Sequence, residues 1–207
     1  MHPFFTKLGV PQEIQHFLTG HYQTDQGGNL VFPYADGIEH FGFSFHLVPA
    51  SGNFWMAGIS DRQLSRHVII GHSAMELIAF LTLNFHLFRR LENLLLLATG
   101  SGITASHLNW IAAHLPGRSY SLVFGNDLLG RAADLKVAAG IRGIPVAISI
   151  PVSSEVNVRF RCRNYSFDQQ RFSLHAFEKA SGYRFGMRTY KAKRSLSFLS
   201  QLESITL

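Results

Sequence analysis

Four stretches of the chain bring together residue types that chemistry uses. In the first, a short apolar run at 121–124 breaks at Gly125-Asn126-Asp127, after which Leu128, Leu135, Val137 and Ala138 recur near helical spacing. Asp127 therefore falls in a strand-to-helix turn. In an open α/β sheet that edge is where ligands and metals bind, because strand ends and helix N-termini meet there with backbone groups unpaired. The second stretch, Gly100-Ser101-Gly102-Ile103-Thr104-Ala105, follows an apolar run at 94–99. Its Gly-x-Gly-x-x-Ala spacing lets a pyrophosphate approach a helix N-terminus, with Asp127 at the end of the next strand as an acid for ribose hydroxyls. The third, Ile70-Gly71-His72-Ser73-Ala74-Met75-Glu76, sets an imidazole and a carboxylate at the start of another helix. In the fourth, Arg159, Arg161 and Arg163 alternate with Phe160 and Cys162, so that an extended backbone would project three guanidiniums from one side to track phosphates. Lys191, Lys193 and Arg194 add a second basic cluster, with Tyr183, Phe185 and Tyr190 nearby as stacking groups.

Each of these residues also has a purely structural role open to it. Asp127 is placed to cap the helix that begins there as readily as to touch an ion. Gly125 serves as a turn residue, and Gly100 and Gly102 as a tight connection between strand and helix. His72 reads as a histidine at a helix start that bonds backbone, since no partner acid or nucleophile is identifiable beside it. Glu76, one turn into its helix, reads as an exposed glutamate, and the arginines as a solvated surface or as partners of Glu155, Asp168 and Glu178.

The elements that must position these groups follow from the pattern of apolar residues. A helix is expected at 11–18, a turn at 25–28 and a strand at 29–34, with Asp36-Gly37 making a hairpin. Alternation then runs through 38–48, with Phe41, Phe43, Phe45 and Leu47 on a buried face and His40, Gly42, Ser44 and His46 on the other. A third run at 54–57 closes an antiparallel meander. Beyond Asp61-Arg62 the pattern changes to strand 67–71, helix from Ser73 through 84, strand 94–99, helix 104–115, strand 121–124, helix 127–139 and strand 144–150. Strands alternating with helices call for a parallel sheet with right-handed crossovers. Residues 151–163 read as extended and 167–180 as a helix, with Phe172, His175, Ala176 and Lys179 at helical spacing. The tail is basic and weakly patterned.

Composition bounds the rest. A chain of 207 residues, 46% apolar and without repeats, has enough material for one sizeable core. The net charge of +6 is uneven: residues 159–207 carry ten Lys/Arg against Asp168, Glu178 and Glu203, a hint of a polyanionic partner. The lone Cys162 leaves no intrachain disulfide and no Cys-x-x-Cys zinc ribbon, and the eleven histidines contain no His-Glu-x-x-His. Apolar runs such as 94–98 are far too short to span a bilayer, and the first seven residues lack the pattern of a signal peptide. The expected location is cytoplasmic, without a membrane partner.

The order of these features resembles the Toprim fold of bacterial primases, topoisomerases and their mobile-element relatives. The similarity spans roughly 29–150: a β-meander, a strand and helix joined by Gly-x-Ser-x-x-Glu (Gly71, Ser73, Glu76), a strand ending in Thr99-Gly100, and a strand ending in Asn126-Asp127 with Gly130 and Arg131 beyond. The resemblance implies Mg²⁺ held by a Glu after the first strand and an Asp-x-Asp after the third, with the Glu as acid/base. Here the first acid falls on His72 and the second on Gly125, and Asp127 alone survives. Imidazole does not suit hard Mg²⁺, and glycine offers it no side chain.

The expected fold is α/β, a parallel Toprim-like (Rossmann-like) sheet flanked by helices, with an N-terminal β-meander over 1–66, a core over 67–150 and a basic extension over 151–207 packed on it. The implied function is that of a catalytically degenerate Toprim-like protein, a nucleic-acid-binding or accessory module in replication or mobilisation of DNA, with nucleic acid and replication or mobilisation proteins as partners. No cofactor is expected; Mg²⁺ enters only if the chain is instead an active Toprim nuclease or primase-like enzyme, with Asp127 as its remaining ligand. The other alternative is a Rossmann-like nucleotide binder using Gly100 and Gly102.

Overall fold

The computed structural model describes residues 1–59, 64–88, 90–151 and 155–206; the break expected at Asp61-Arg62 lies outside them. Two short helices, α1 (Pro3–Lys7) and α2 (Gln12–Phe17), lead into an antiparallel sheet of β1 (Gln23–Thr24), β2 (Leu30–Tyr34), β3 (Gly37–Gly42) and β4 (Phe45–Leu47). Next come β5 (Trp55–Gly58), β6 (His67–Gly71), α3 (Ala74–Leu83), β7 (Leu94–Ala98), α4 (Ala105–His114), β8 (Ser119–Val123) and α5 (Leu128–Ile141). A second antiparallel sheet is built from β9 (Val146–Ser149), β10 (Glu155–Phe160) and β11 (Arg163–Asp168). The chain then forms α6 (Leu174–Ser181), β12 (Arg188–Thr189) and α7 (Phe198–Thr206).

The third sheet carries the site. Its order is β12-β8-β6-β7-β5, with β6, β7, β8 and β12 parallel and β5 antiparallel on the edge. Val68-Ile69-Ile70 and Leu94-Leu95-Leu96-Leu97 are continuous apolar runs because these strands are covered on both faces. Ile69, Leu94, Leu96 and Val123 pack with α3, α7 and the N-terminal sheet; Val68, Ile70, Leu95, Leu97 and Leu122 pack with α4, α5 and the second antiparallel sheet. From β6 the chain steps to β7 through α3 on one face, then back across β6 to β8 through α4 on the other, as right-handed crossovers require. The strand order reverses at β6, so the crevice outside its carboxyl end is a topological switch point. Among the described residues, no helix is long and apolar enough to cross a membrane.

Several expected elements are corrected. The alternation at 38–48 is two strands, not one: the chain reverses between Gly42 and Phe45, Phe41 pairs with His46, and of the four expected inward residues only Phe41 is buried. His40 and His46 accordingly lie on opposite faces, because His40 pairs with Leu47. The run at 54–57 does not close the meander but pairs with β7. The strand expected at 144–150 joins β10 rather than the parallel sheet, and the helix expected at 167–180 is a strand end followed by a shorter helix from Leu174.

Candidate functional site

At the end of β6, a Cβ on Gly71 would lie 2.7 Å from the Val123 carbonyl and 2.8 Å from Leu77, so glycine lets β8 and α3 close on this strand. His72 follows, half-buried, and Ser73 caps α3 by accepting from the Glu76 N–H at 3.1 Å. The same helix start also receives a carboxylate from the N-terminal sheet. Glu39, fully buried on β3, accepts from the Ala74 and Met75 N–H groups at 2.8 and 3.1 Å, from the Tyr34 hydroxyl at 2.8 Å, and lies 2.9 Å from His46 Nε2. Burial, reinforced by the Glu39 charge, drives the Tyr34 phenol pKa far above its ordinary value.

Glu76 is not the exposed glutamate expected. It is buried, and its two oxygens accept from the Phe198 and Leu199 N–H groups of α7 at 2.6 and 3.0 Å. A carboxylate on orphan N–H groups at the positive end of a helix is the ordinary electrostatic solution there, and here it ties α7 to α3.

After β7, Gly100 adopts φ +77°, and a Cβ on it would stand 2.5 Å from the Pro49 carbonyl, which also accepts from Ser101 N–H at 2.8 Å. The close approach that glycine permits is thus to the protein's own backbone. Gly102 faces open space. Thr104 caps α4 in a reciprocal pair with His107. After β8, Asp127 caps α5, accepting from Gly130 N–H at 2.6 Å, and Asn126 donates to Leu196 and Ala192 carbonyls at 2.7 and 3.1 Å. A side chain at Gly130 would collide with the Gly125 carbonyl, which explains a glycine inside the first turn of α5.

Lys191 is the support beneath that turn. Its ammonium donates to the Phe124 and Gly125 carbonyls at 3.1 and 3.0 Å and to Asp134 Oδ2 at 2.7 Å. Asp134 is buried on α5 and its Oδ1 has no hydrogen-bond partner among the described residues. Burial pushes the Asp134 pKa up to about 7, against the pull of the Lys191 and Arg131 charges.

The three strand ends enclose a cleft of about 320 Å³ at the switch point, lined among others by His72, Gly100, Gly102, Gly125, Asp127 and Leu196. Sequence reading had singled out five of these six, and the fold gathers them. Glu76 stands apart, beneath an adjoining groove. The donor set does not fit Mg²⁺: one carboxylate, already bonded to a helix N–H, faces an imidazole and a glycine. The pyrophosphate arrangement meets its own obstacles, because Gly100 is filled by Pro49 and β6 lies between β7 and the strand that carries Asp127.

The basic clusters are also rearranged. Arg161 and Cys162 take φ of +47° and +64°, a two-residue hairpin turn, so the segment reverses instead of extending. Arg163 pairs with inward Phe160 while Arg159 pairs with Asn164 on the outer face; the arginines do not share one side. The Arg161 guanidinium lies 4.7 Å from the Tyr183 ring centroid. Phe185 is buried and Tyr190 packs on Phe80 in the core, so neither is a free stacking platform. Lys191 is structural, whereas Lys193 and Arg194 are exposed.

Glu39, Asp134 and the role of Lys191 were missed by sequence reasoning. Glu39 shares the inward phase of Phe41, and Asp134 lies three and four residues before Val137 and Ala138 on the buried face of α5; in both cases a charge at an apolar phase was the available signal. No family model, curated protein or solved structure matches this chain.

Proposed function

We propose that this chain is a Toprim-like scaffold that has lost the family's metal chemistry and binds nucleic acid, as an accessory module in replication or mobilisation of DNA. The observation that carries the binding is the surface of the C-terminal quarter. Of its ten Lys/Arg residues, Arg159, Arg161, Arg163, Arg171, Lys179, Arg188, Lys193 and Arg194 are exposed and make no ion pair among the described residues. Exposed cations not spent on internal carboxylates are the ones that can displace counterions from phosphates. The loss of catalysis is supported by the cleft, where two of the three expected carboxylate positions are His72 and Gly125.

The scaffold's other features fit a binding role. Among the described residues, a carboxylate or hydroxyl of the chain itself caps each of α3, α4, α5 and α7 and so competes with a nucleotide phosphate for those helix starts. Backbone phosphates would instead be met at the surface by side chains. The test combines two assays on purified protein: retention of a labelled oligonucleotide in EDTA, and nicking of supercoiled DNA with added Mg²⁺. Binding without nicking is expected. Mg²⁺-dependent nicking that disappears in Asp127→Ala would overturn the reading.

A further inference from the structure

The second antiparallel sheet ends on β11, which β10 bonds on one side; among the described residues no strand pairs on its other side. This edge carries no Pro or Lys, and its one-to-one register with β10 has no bulge, so three of the usual devices that keep a bare edge from pairing are missing. The two-residue turn at Arg161 and Cys162 makes Phe160 and Arg163 a hydrogen-bonded pair. Arg163, Tyr165 and Phe167 therefore bond to β10, while Asn164, Ser166 and Asp168 present their backbone groups outward. The Asp168 carbonyl turns back to accept from the Arg171 and Phe172 N–H groups at 3.1 and 2.9 Å, which leaves the Asp168 N–H and the groups of Asn164 and Ser166 at the edge.

The outer face of this sheet carries opposite charge at its two ends. Glu155 stands directly across from Asp168, two exposed carboxylates side by side, and neither has an ion-pair partner among the described residues. Like charges directly opposite destabilise an antiparallel pair. Asp168 Oδ1 accepts from Gln170 N–H at 2.8 Å, which orients that carboxylate without neutralising it. At the other end Arg159 stands across from Asn164, exposed and also without an ion pair among the described residues. The remaining arginines of the hairpin lie elsewhere: Arg161 is held on the Tyr183 ring, 4.7 Å from its centroid, and Arg163 belongs to the inner face.

We infer that β11 pairs antiparallel with β11 of a second copy of this chain, about a two-fold axis at Ser166. Only residues that present their groups outward can face one another, and placing Ser166 opposite its own copy engages all three, with Asn164 meeting Asp168 of the second copy at either end. Moving the axis to Tyr165 or Phe167 would leave Asp168 or Asn164 without a strand residue opposite. In the Ser166 register each outer row at the ends of the seam runs Arg159, Asn164, Asp168, Glu155, the first two from one copy and the last two from the other. The acid pair of each copy thereby gains the guanidinium of its partner. On the inner face half-buried Tyr165 comes opposite Phe167 of the second copy, an aromatic cross-strand pair. The other edge, β9, offers no such match, since its outward residues Ala147 and Ser149 are uncharged. The inference is independent of the nucleic-acid reading; it draws Arg159 toward the partner and leaves the other exposed cations open to solvent.

The experiment is sedimentation equilibrium of protein freed of nucleic acid, from about 1 to about 300 μM. One strand edge is a small contact, at the weak end of interface sizes, so a reversible monomer–dimer equilibrium is expected within this range. Arg159→Glu, at an exposed side chain, should keep the native melting temperature and weaken the dimer by about tenfold, because the axis repeats the loss at both ends. Ser166→Pro removes an outward N–H at the axis and should abolish the dimer. Disulfide trapping reads the register. In a Cys162→Asn background, since asparagine tolerates the positive φ at that turn, Ser166→Cys should cross-link to its own copy, whereas Asn157→Cys, its neighbour on the same face but one strand inward, should not. If Ser166→Pro fails to fold, Arg159→Glu and the trapping decide. A wild type that stays monomeric throughout the range, a dimer that Arg159→Glu does not weaken, or equal trapping at the two cysteine positions would overturn the inference.

Discussion

Lys191→Met removes the cation that joins the turn after β8 to α5 while keeping the length and apolar stem of the side chain. The change strips the Phe124 and Gly125 carbonyls of a donor and leaves Asp134 buried, one of its oxygens already without a partner among the described residues. Breaking a buried pair by deleting one member costs about 3–5 kcal/mol when the remaining group stays charged. The Lys191 side chain is only 21% exposed, so screening by solvent does not erase the effect. The cost must vary with pH. The Asp134 pKa in the fold is about 7, raised from 3.8, so its favourable contribution is complete below pH 3.8 and is lost as pH rises toward 7. Removing the opposing ammonium raises that folded value further. At pH 5 the mutant can hold Asp134 protonated and loses mainly hydrogen bonds, about 1–2 kcal/mol; at pH 8 it faces the larger penalty. Urea unfolding at both pH values reads the difference. Asp134→Asn added to Lys191→Met should restore part of the loss at pH 8. Equal destabilisation at the two pH values, or less than about 1 kcal/mol at pH 8, would refute the assigned charge states.

Other substitutions test the remaining supports. Glu39→Ala orphans the first N–H groups of α3, the Tyr34 hydroxyl and His46 together, and should cost about 2–4 kcal/mol in chemical unfolding. Asp127→Ala should lower stability by about 0.5–2 kcal/mol through loss of the α5 cap, with nucleic-acid affinity unchanged. Gly130→Ala should lower the melting temperature sharply despite alanine's better helix propensity, because the new methyl meets the Gly125 carbonyl; Gly102→Ala, with open space around it, should melt within a degree or two of wild type.

The central strands and their helices were legible because their signals are local. Val68-Ile69-Ile70, the leucine run at 94–97 and the caps Ser73, Thr104 and Asp127 each declare an element within a few residues. Sheet membership was not legible, since it depends on distant partners: β9 looks like any buried strand until β10 pairs with it, and β5 reaches β7 across forty residues of sequence. The reversal after Gly42 was hidden because period-two alternation continues through it without the usual turn residues. Arg161 and Cys162 hid their turn in the same way, taking positive φ where Asn-Gly is the usual pair. The convergence of His72, Gly100, Gly102, Gly125 and Asp127 followed from one rule, that consecutive parallel strands end at a common edge. What lies beneath that edge did not. Lys191, counted with the surface charges of the tail, is the internal partner of a helix residue 57 positions earlier, and Glu76 holds a helix 122 positions later.

The most direct test of nucleic-acid binding without metal chemistry is the slope of log affinity against log salt, measured in EDTA for the wild type and for alanine variants of Arg159, Arg161, Arg163, Lys193 and Arg194. Binding by phosphate contact predicts an affinity that falls steeply with salt, and a slope reduced by roughly 0.7–0.9 for each contacting cation removed. Salt-insensitive binding, no binding at low salt, or affinity that requires Mg²⁺ would contradict it.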